Sequence, residues 1–450
     1  MYKRQIKKLA DGKIRTAVKP QYVDQLPKAY KGPVMDLLKK VDQHGRRDDL
    51  IQELNIERAA TRDMEQLSGG ELQRVAIAAT LLKDSDVYFI DEPSSYLDIH
   101  ERVRVARILK KLAEKKLVMV VEHDLAVLDF LCENVHLMYG SPGAYGVVVP
   151  VKGVRHAINI YLDGYLKEEN VRFRDHPIEF EAHPPRREQD LDPLLAFPKV
   201  TKSLASFKLE VTSGQIRRGE VIGVLGPNAT GKTSFVKILA GVMESDQGRL
   251  ESEAKVSYKP QYIKADYTGT VNDLILSTAG NLLGDSFLSA EVYRPLNLRD
   301  LAEKQVDKLS GGELQRVAIA LCLAKDATLY LLDEPSAYLD SNQRMEAART
   351  IRRVMEKGGK SALIVDHDVY FIDMIADAIM VFGGDPGVHG KGEGPFDMRA
   401  GMNRFLHDVD VTFRRDPDTK RPRVNKPDSR LDREQRAAGE YYYASEKGDE

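Results

Sequence analysis

The chain has 450 residues, with 67 Lys and Arg against 69 Asp and Glu, so its formal net charge is −2. At roughly 150 residues per domain, this length predicts two or three domains. The balanced charge excludes a generally polycationic nucleic-acid coat, and the 42% hydrophobic content excludes a disordered chain. The two cysteines, Cys132 and Cys322, cannot build a disulfide framework or a four-cysteine metal site.

The apolar runs of the chain are short. Residues 117–121 and 329–332 are examples, and both fall far below the roughly 18 residues that a membrane-spanning helix needs. The first residues are basic but no apolar stretch follows them, so the sequence predicts no signal peptide. These features favour a soluble multidomain protein of a reducing compartment.

A long internal repeat organises the sequence. Residues 67–78 recur unchanged as residues 309–320, and residues 19–22 recur as 259–262. The offsets between matching segments lie between 240 and 244 residues. A period of this length indicates duplicated domains of one fold, and it excludes a solenoid built from short units.

Two polar residues recur in register and are candidates for function. Gln21 matches Gln261, and His123 matches His367. A single glutamine or histidine is usually structural. Each histidine here follows an apolar run with one acidic residue between them, and repetition in register favours a functional role for the glutamines and histidines alike, as sensors of a bound anion or of a reacting water.

The pattern Ser-Gly-Gly-Glu occurs twice, each time before an amphipathic pattern that predicts a helix. Its residues are Ser68, Gly69, Gly70 and Glu71, and Ser310, Gly311, Gly312 and Glu313. The serine and glutamate have the spacing of a capping box, so the structural interpretation is a well-capped helix. Two adjacent glycines also expose N–H groups at the positive end of a helix, where an anion can bind. We expect capping and phosphate binding to coexist.

Each half of the chain also contains a short apolar run that ends in Asp-Glu. The pair is Asp91 and Glu92 in the first half, and Asp333 and Glu334 in the second. The runs predict strands, which places both carboxylates at a strand's C-terminal end. There the aspartate suits the shell of Mg²⁺ and the glutamate can polarise an attacking water. A single such pattern is more often a surface turn, and its duplication favours the functional interpretation.

Apolar strand-like runs alternate with helical patterns along both halves. Residues 117–121 and 221–225 predict buried strands, and residues 103–113 predict an amphipathic helix. This alternation predicts an α/β fold with a mainly parallel sheet.

One segment matches the phosphate-binding pattern GxxxxGK[ST], between the predicted strand at 221–225 and a helical run at 234–239. Its residues are Gly226, Pro227, Asn228, Ala229, Thr230, Gly231, Lys232 and Thr233. The glycines let backbone N–H groups surround a phosphate, Lys232 reaches the β- and γ-phosphates, and the Thr233 hydroxyl can bind Mg²⁺. An ordinary glycine turn rarely has this strand–helix context.

The order of these motifs resembles the ATP-binding-cassette ATPases. The order is a P-loop, the Ser-Gly-Gly-Glu segment, the Asp-Glu pair, a Leu-Asp pair that ends in Asp98 or Asp340, and a histidine. The resemblance covers nearly the whole chain and implies an α/β fold of two tandem P-loop cassettes, arranged head to tail, with hinge segments. In that family each nucleotide lies between the P-loop of one cassette and the Ser-Gly-Gly-Glu helix of the other, and hydrolysis separates them.

A closer resemblance is to the twin-cassette ATPases of ribosome recycling, the RNase L inhibitor family (ABC subfamily E). It rests on the KPQY segments, on GPNATGKT, on DEPSSYLD and DEPSAYLD, and on a weaker repeat between residues 139–174 and 382–414. It implies five segments. They are a first cassette at 1–138, a hinge and exposed proline-rich linker at 139–193, a second cassette at 194–381, a second hinge at 382–426 and a polar tail at 427–450, which we expect to fray.

The sequence departs from this family near its N-terminus. The family begins with a cysteine-rich domain that carries two iron–sulfur clusters, and because this chain has no such cysteines we expect no cluster in it. The repeat offset places a first P-loop before Met1, and no GxxxxGK[ST] pattern occurs between Met1 and Leu67. We therefore expect a chain that lacks its N-terminal part, exposed apolar surface in the first cassette, and at most one well-formed ATP site.

The resemblance implies one complete composite site for Mg²⁺ and ATP. In it Lys232 and the loop amides hold phosphates, Thr233, Gln261 and Asp333 position Mg²⁺, and Glu334 activates water that Gln261 and His367 align. Ser68, Gly69, Gly70 and Glu71 close this site, with Asp98 nearby, and Phe207 is a candidate for stacking on adenine. The second site has no P-loop, and its candidates are Gln21, Asp91 (metal), Glu92, His123, Ser310, Gly311, Gly312 and Asp340.

The implied function is that of a cytoplasmic ATP hydrolase that splits ribosomes, with the small ribosomal subunit and release or recycling factors as partners and no membrane. Whether the truncated chain hydrolyses ATP alone stays open. One alternative is the ATP-binding subunit of a membrane transporter, which the hinge-like segments disfavour. Others are an ABC-F translation factor, whose long helical linker conflicts with prolines 184, 185 and 193, and a non-hydrolysing binding module.

Basic residues cluster near both predicted hinges and can meet the phosphates of rRNA. A charge run is more often a solvated face. The candidates are Arg172, Arg174, Arg186, Arg187, Arg414, Arg415, Lys420, Arg421, Arg423 and Lys426.

Overall fold

The computed structural model describes residues 11, 14–141, 144–174, 177–178, 180, 192–250, 253–261 and 267–442. The chain divides into two compact units between Ile158 and Asn159. Each unit has an apolar core of its own, one built from residues 17–109 and the other from residues 195–382.

The first unit contains a three-stranded parallel sheet in the order β1-β2-β3, flanked by helices. Its strands are β1 (Thr16–Lys19), β2 (Val87–Asp91), β3 (Leu117–Val121), β4 (Asn134–Val135), β5 (Met138–Ser141), β6 (Tyr145–Val148) and β7 (Lys152–Gly153). Its helices are α1 (Leu26–Ala29), α2 (Val34–Val41), α3 (Arg47–Glu53), α4 (Glu57–Ala60), α5 (Gly69–Leu81), α6 (Ile99–Ala113), α7 (Leu125–Leu131) and α8 (Val154–Asp163), within which the division falls.

The second unit contains an eight-stranded sheet in the order β11-β12-β19-β18-β14-β17-β16-β15. The strands are β8 (Tyr165–Leu166), β9 (Val171–Arg172), β10 (Pro193–Phe197), β11 (Val200–Leu204), β12 (Phe207–Val211), β13 (Gly214–Arg217), β14 (Val221–Leu225), β15 (Val256–Lys259), β16 (Leu329–Asp333), β17 (Ser361–Val365), β18 (Ala378–Asp385), β19 (His389–Asp397), β20 (Phe413–Arg415) and β21 (Pro422–Val424).

The helices of the second unit are α9 (Lys232–Leu239), α10 (Val271–Ala279), α11 (Asn281–Gly284), α12 (Ser286–Leu288), α13 (Gly311–Leu323), α14 (Ser341–Gly358), α15 (Val369–Ile375), α16 (Met398–Val409) and α17 (Arg430–Ala438). Short 3-10 turns cover Val23–Gln25, Met64–Gln66, Leu298–Leu301 and Val306–Lys308, and a π turn covers Ser289–Tyr293. Among the described helices, none combines the length and apolar character that crossing a bilayer requires.

The two units repeat one structural frame, which confirms the duplicated α/β fold. Strands β1, β2 and β3 correspond to β15, β16 and β17 in both order and direction. Asp91 pairs with Val121 as Asp333 pairs with Val365. Because parallel strands end at one edge of a sheet, this register places the Asp-Glu pair of each unit beside the start of the loop that carries His123 or His367.

The prediction of β3 as a buried strand is wrong in one respect. It forms a strand over the expected residues, but Leu117, Met119 and Val121 are 62%, 50% and 51% exposed. In the described residues β3 pairs with β2 alone, whereas its counterpart β17 lies between β14 and β16 and is fully buried. The first cassette therefore exposes apolar surface, as expected.

Two expected boundaries do not match the structure. The proposed start of the second hinge at residue 382 falls inside β18, which continues to Asp385 as part of the main sheet. The tail was expected to fray, yet Arg430–Ala438 is helical and its Asp432 and Gln435 are buried. Asp432 accepts a hydrogen bond from Thr412, and Gln435 donates to the carbonyl of Phe413, so this helix packs on the second unit.

The proposed connector lies mostly outside the described residues, as do Arg186 and Arg187. Two members of the basic cluster are unsuited to meet rRNA from the surface. Arg421 is fully buried, and Arg423 is buried with its Nη1 atom 3.4 Å from the Asp416 carboxylate. These arginines are internal to the fold.

Candidate active site

The phosphate-binding loop connects β14 to α9, as predicted. Its first glycine, Gly226, has φ +146°, and a Cβ atom there would stand 2.2 Å from the Phe382 carbonyl oxygen. The second, Gly231, has φ +91° and caps the start of α9. Only glycine tolerates these backbone conformations at such close approach. The loop therefore presents its N–H groups at a helix N-terminus, the arrangement that binds phosphate.

Lys232 is buried and folds back over this loop. Its Nζ atom donates to the carbonyls of Gly226 at 2.8 Å and Pro227 at 2.6 Å, while Thr230 Oγ1 donates to the Pro227 carbonyl. Phe207, the candidate for adenine stacking, lies beside the loop, with ring atoms 3.1 and 3.2 Å from the Cβ position built on Gly231. A positive charge and an aromatic ring thus both lie at the loop.

Asp333 ends the central strand β16 and is fully buried. Within the described part of the chain, neither of its carboxylate oxygens has a hydrogen-bond partner. Burial raises the pKa of Asp333 to about 6, and the nearby Thr233 hydroxyl with Lys259 and Lys232 partly opposes this shift. A buried carboxylate beside a hydroxyl is an oxygen donor set of the kind that Mg²⁺ prefers. Asp333 and Thr233 fit a magnesium site.

Glu334 follows immediately, and two of the predicted residues, Gln261 and His367, contact its carboxylate. Gln261 Nε2 donates to Glu334 Oε1 at 2.7 Å, and His367 Nε2 lies 3.2 Å from the same oxygen. Burial would raise the pKa of Glu334, but His367, Gln261 and Lys232 outweigh it and lower the pKa to about 2. The carboxylate is therefore ionised at neutral pH, with its orientation fixed from two sides.

The first unit repeats this arrangement around Glu92, after Asp91 at the end of β2. Gln21 Nε2 donates to Glu92 Oε1 at 2.6 Å, and His123 Nε2 lies 3.5 Å from it. The hydrogen bond to His123 contributes most to lowering the pKa of Glu92, against the effect of burial. Two copies of one carboxylate cluster are thus present, and the second adjoins the phosphate-binding loop of its own unit.

Both Ser-Gly-Gly-Glu segments begin a helix through the predicted capping boxes. Ser68 accepts from the Glu71 N–H and Ser310 from the Glu313 N–H, and each glutamate side chain accepts from the serine N–H. A second reason requires glycine at these positions, and the sequence did not indicate it. A Cβ atom on Gly312 would lie 2.8 Å from the Tyr338 carbonyl oxygen, so the helix starts against the loop that follows Glu334.

Asp98 and Asp340, proposed to bind the nucleotide, act as helix N-caps in the structure. Asp98 accepts from the Glu101 N–H at the start of α6, and Asp340 accepts from the Gln343 N–H at the start of α14. Each aspartate therefore fixes the end of the loop that begins with the Asp-Glu pair.

Sequence reasoning missed Asp366, which joins the two loops of the site. Its Oδ1 atom accepts from the Ser336 hydroxyl at 2.6 Å and from the His367 N–H at 2.7 Å. Glu122 does the same in the first unit, accepting from the N–H groups of Ser94 and His123. The signal in the sequence is the acidic residue that precedes each histidine, Glu122 and Asp366.

Comparisons with known proteins agree with this geometry. A protein-family model described as ABC transporter matches residues 4–95 and 209–337. An uncharacterized ABC transporter ATP-binding protein of Methanocaldococcus jannaschii is 51% identical over 441 residues, which are 98% of this chain and 73% of that protein. Translation initiation factor RLI1 of Saccharomyces cerevisiae is 42% identical over 451 residues, which are 98% of this chain and 74% of that protein.

A solved structure is similar over both units. It is the crystal structure of the complex of archaeal ribosomal stalk protein aP1 and archaeal ribosome recycling factor aABCE1, with a TM-score of 0.93 and 53% identity. The match covers 97% of this chain and 85% of that chain. Likeness of this extent, in sequence and in structure, confirms the resemblance noted in the motifs. The chain therefore belongs to subfamily E of the ATP-binding-cassette ATPases, the RNase L inhibitor family.

Proposed function

We propose that this chain is a cytoplasmic ATPase that uses ATP binding and hydrolysis to split ribosomes for recycling. Its family supports the proposal, since the similar solved structure is described as a ribosome recycling factor in complex with a ribosomal stalk protein. The yeast relative is named a translation initiation factor. Both names connect the family to translation, and no described feature favours a transporter subunit.

The observation that carries the enzymatic part is the Glu334 cluster beside the phosphate-binding loop. A carboxylate with a pKa of about 2 is a weak proton acceptor, so its role is to orient and polarise the attacking water. Phosphoryl transfer suits such a role, because its loose transition state needs positioning more than early proton removal. Gln261 and His367 hold the carboxylate toward that water.

The remaining residues of this site hold the nucleotide. Lys232 and the amides of the loop bind the β- and γ-phosphates, and Phe207 stacks on the base. Thr233 and Asp333 supply oxygen ligands to Mg²⁺, with Gln261 as a further ligand. Bound Mg²⁺ neutralises phosphate charge and orients the terminal phosphate.

Ser68 and Gly70 are proposed to contact the γ-phosphate of the same nucleotide, with Gly69 and Glu71 completing the helix start that closes the site. Support comes from the family resemblance and from the capping box, which leaves N–H groups of the first turn available to an anion. The corresponding segment at Ser310 is proposed to serve the Glu92 cluster. Loss of the γ-phosphate then releases this contact, which couples hydrolysis to movement.

The proposed partners are the small ribosomal subunit and the release or recycling factors that act with it. Contact with rRNA is assigned to the exposed members of the basic cluster. Among the cluster members that the structure describes, these are Arg172, Lys420 and Lys426. Their charge suits phosphate oxygens, and such binding would weaken as salt is raised.

Two measurements on the full chain test this function. Glu334→Gln should reduce Mg²⁺-dependent ATP hydrolysis by about 100-fold or more while leaving ATP binding, because the amide cannot polarise water. Cosedimentation with purified small ribosomal subunits should be stronger with a non-hydrolysable ATP analogue than with ADP. Hydrolysis that survives Glu334→Gln would contradict the enzymatic part. Absence from the ribosomal fraction with both nucleotides, in a folded chain, would contradict the ribosomal part.

A further inference from the structure

We propose that Lys259 and Gln315 position the catalytic carboxylate of Glu334 by donating hydrogen bonds to the main-chain carbonyls of Asp333 and Glu334. Neither residue was assigned a role above, although Lys259 begins the repeated KPQY segment and Gln315 belongs to the unchanged repeat. This inference rests on the proposed hydrolytic function of Glu334 and adds two positioning residues to it.

The contacts converge on the turn that carries Glu334. Lys259 Nζ donates to the Asp333 carbonyl at 2.8 Å and lies 3.4 Å from the Glu334 carbonyl. Gln315 Nε2 donates to the Glu334 carbonyl at 2.7 Å. One ammonium and one amide therefore bind the peptide groups on either side of the Glu334 Cα atom, while Gln261 and His367 bind its carboxylate.

The turn requires such support because of its backbone conformation. Glu334 has φ +48°, a left-handed conformation that side chains other than glycine rarely adopt. Residues held in this region persist where the surroundings fix them, and they concentrate at functional sites. A relaxed φ would swing the carboxylate away from Gln261 and His367, so the carbonyl contacts determine where the carboxylate points.

Burial argues that both side chains are present for their polar groups. Lys259 and Gln315 are each only 1% exposed. A buried ammonium is far costlier than an apolar chain of the same length, so a role in packing alone would favour methionine at either position. The polar contacts of the Lys259 ammonium that the structure gives are the carbonyls of Asp333, Glu334 and Pro260.

The first unit contains the same device in an independent copy. Lys19 Nζ donates to the Asp91 carbonyl at 2.6 Å and lies 3.2 Å from that of Glu92, and Gln73 Nε2 donates to the Glu92 carbonyl at 2.6 Å. Glu92 has φ +44°. The lysine, the glutamine and the left-handed glutamate therefore occur together twice.

Steady-state kinetics on the full chain tests the inference. We expect Lys259→Met and Gln315→Met each to lower kcat by about tenfold or more, with KM for Mg²⁺-ATP and the affinity for a non-hydrolysable analogue changed less than threefold. Lys255→Met is the matched control, since Lys255 precedes the same strand and is 71% exposed in a pair with Asp326. It should keep the kcat of the parent chain.

A double substitution separates positioning from a general structural role. In a Glu334→Gln background, Lys259→Met should lower the residual rate no further, because its effect passes through Glu334. The inference is overturned if Gln315→Met and Lys259→Met keep the parent kcat, or if kcat and nucleotide affinity fall together. It is also overturned if Lys259→Met unfolds the chain while Gln315→Met is normal. If Glu334→Gln itself leaves hydrolysis intact, the proposed function fails instead.

Discussion

Glu334 keeps its charge inside the protein because neighbouring groups replace the water that burial removes. Burial acts to raise its pKa, and the hydrogen bond and charge of His367, with Gln261 and Lys232, lower it to about 2. The folded pKa lies below the ordinary value, so the ionised form is present at every pH above about 2. Without His367, burial is less opposed and protonation begins at a higher pH.

A pH profile of kcat can detect this balance. We expect normalised kcat, measured at saturating Mg²⁺-ATP between pH 4.5 and 8, to fall more steeply toward low pH in His367→Ala than in the parent chain, whose Glu334 stays ionised over this range. His407→Ala is the control, since this histidine is 67% exposed beside Asp408. Superimposable profiles for the parent and His367→Ala would contradict the argument.

At the level of residues, the sequence indicated the groups that touch Glu334 but missed those that support it. Gln261 and His367 recur in register with recognisable spacing, so duplication singled them out. Lys259 and Gln315 act on main-chain carbonyls, and the left-handed φ of Glu334 leaves no mark in a residue pattern. Such contacts become visible only with coordinates.

The start of α13 is built on a close contact between a helix and a loop. In most helices Gly→Ala stabilises by up to about 1 kcal/mol, because alanine has less chain entropy to lose. At Gly312 the sign should reverse, since the added methyl group would stand 2.8 Å from the Tyr338 carbonyl oxygen. Relief of that overlap requires a backbone shift, which typically costs about 1–3 kcal/mol.

We therefore expect Gly312→Ala to lower the free energy of unfolding by about 1–3 kcal/mol in urea titrations. Gly284→Ala is the matched control, because nothing lies within 4 Å of its Cβ position at the end of α11. It should be neutral or slightly stabilising. A neutral Gly312→Ala would show that the loop after Glu334 yields easily.

The elements themselves were largely predictable, whereas their burial was not. The capping boxes at Ser68 and Ser310, strand β14 and helix α9 follow from local patterns, because caps and apolar periodicity act over a few residues. Strand β3 is the more apolar of two corresponding strands, with the sequence Leu-Val-Met-Val-Val against Ser-Ala-Leu-Ile-Val in β17, yet β3 is half exposed and β17 is fully buried. Burial depends on neighbouring strands, which a local pattern does not contain.

The two units, each with its own core, should respond differently to nucleotide. The phosphate-binding loop belongs to the second unit, and ATP at 100 times its Kd stabilises the state that binds it by about 2.7 kcal/mol. Hydrogen exchange should therefore slow in β14, α9 and β16 when Mg²⁺ and a non-hydrolysable ATP analogue are added.

Lys232→Ala should abolish this slowing, since it removes the loop's ammonium group. Slower exchange in α5, which begins at Gly69, would support its proposed contact with the γ-phosphate. Unchanged exchange in α5 while β14 and α9 are protected would contradict that contact. The division between the two units falls inside helix α8, where the composition of the sequence gives no sign of a boundary. Hydrogen exchange measured along the chain would show where the response to nucleotide ends.

The open face of β3 has a practical consequence for handling the purified chain. An edge strand with a row of exposed apolar side chains is a template for strand addition by another molecule. We expect light scattering to rise with protein concentration, and Met119→Lys to suppress the rise by placing a charge mid-strand. Val242→Lys, which charges a valine of the second unit that is 65% exposed, should give no such protection. The need to store the protein at low concentration would then arise from one strand, independently of ATP binding or hydrolysis.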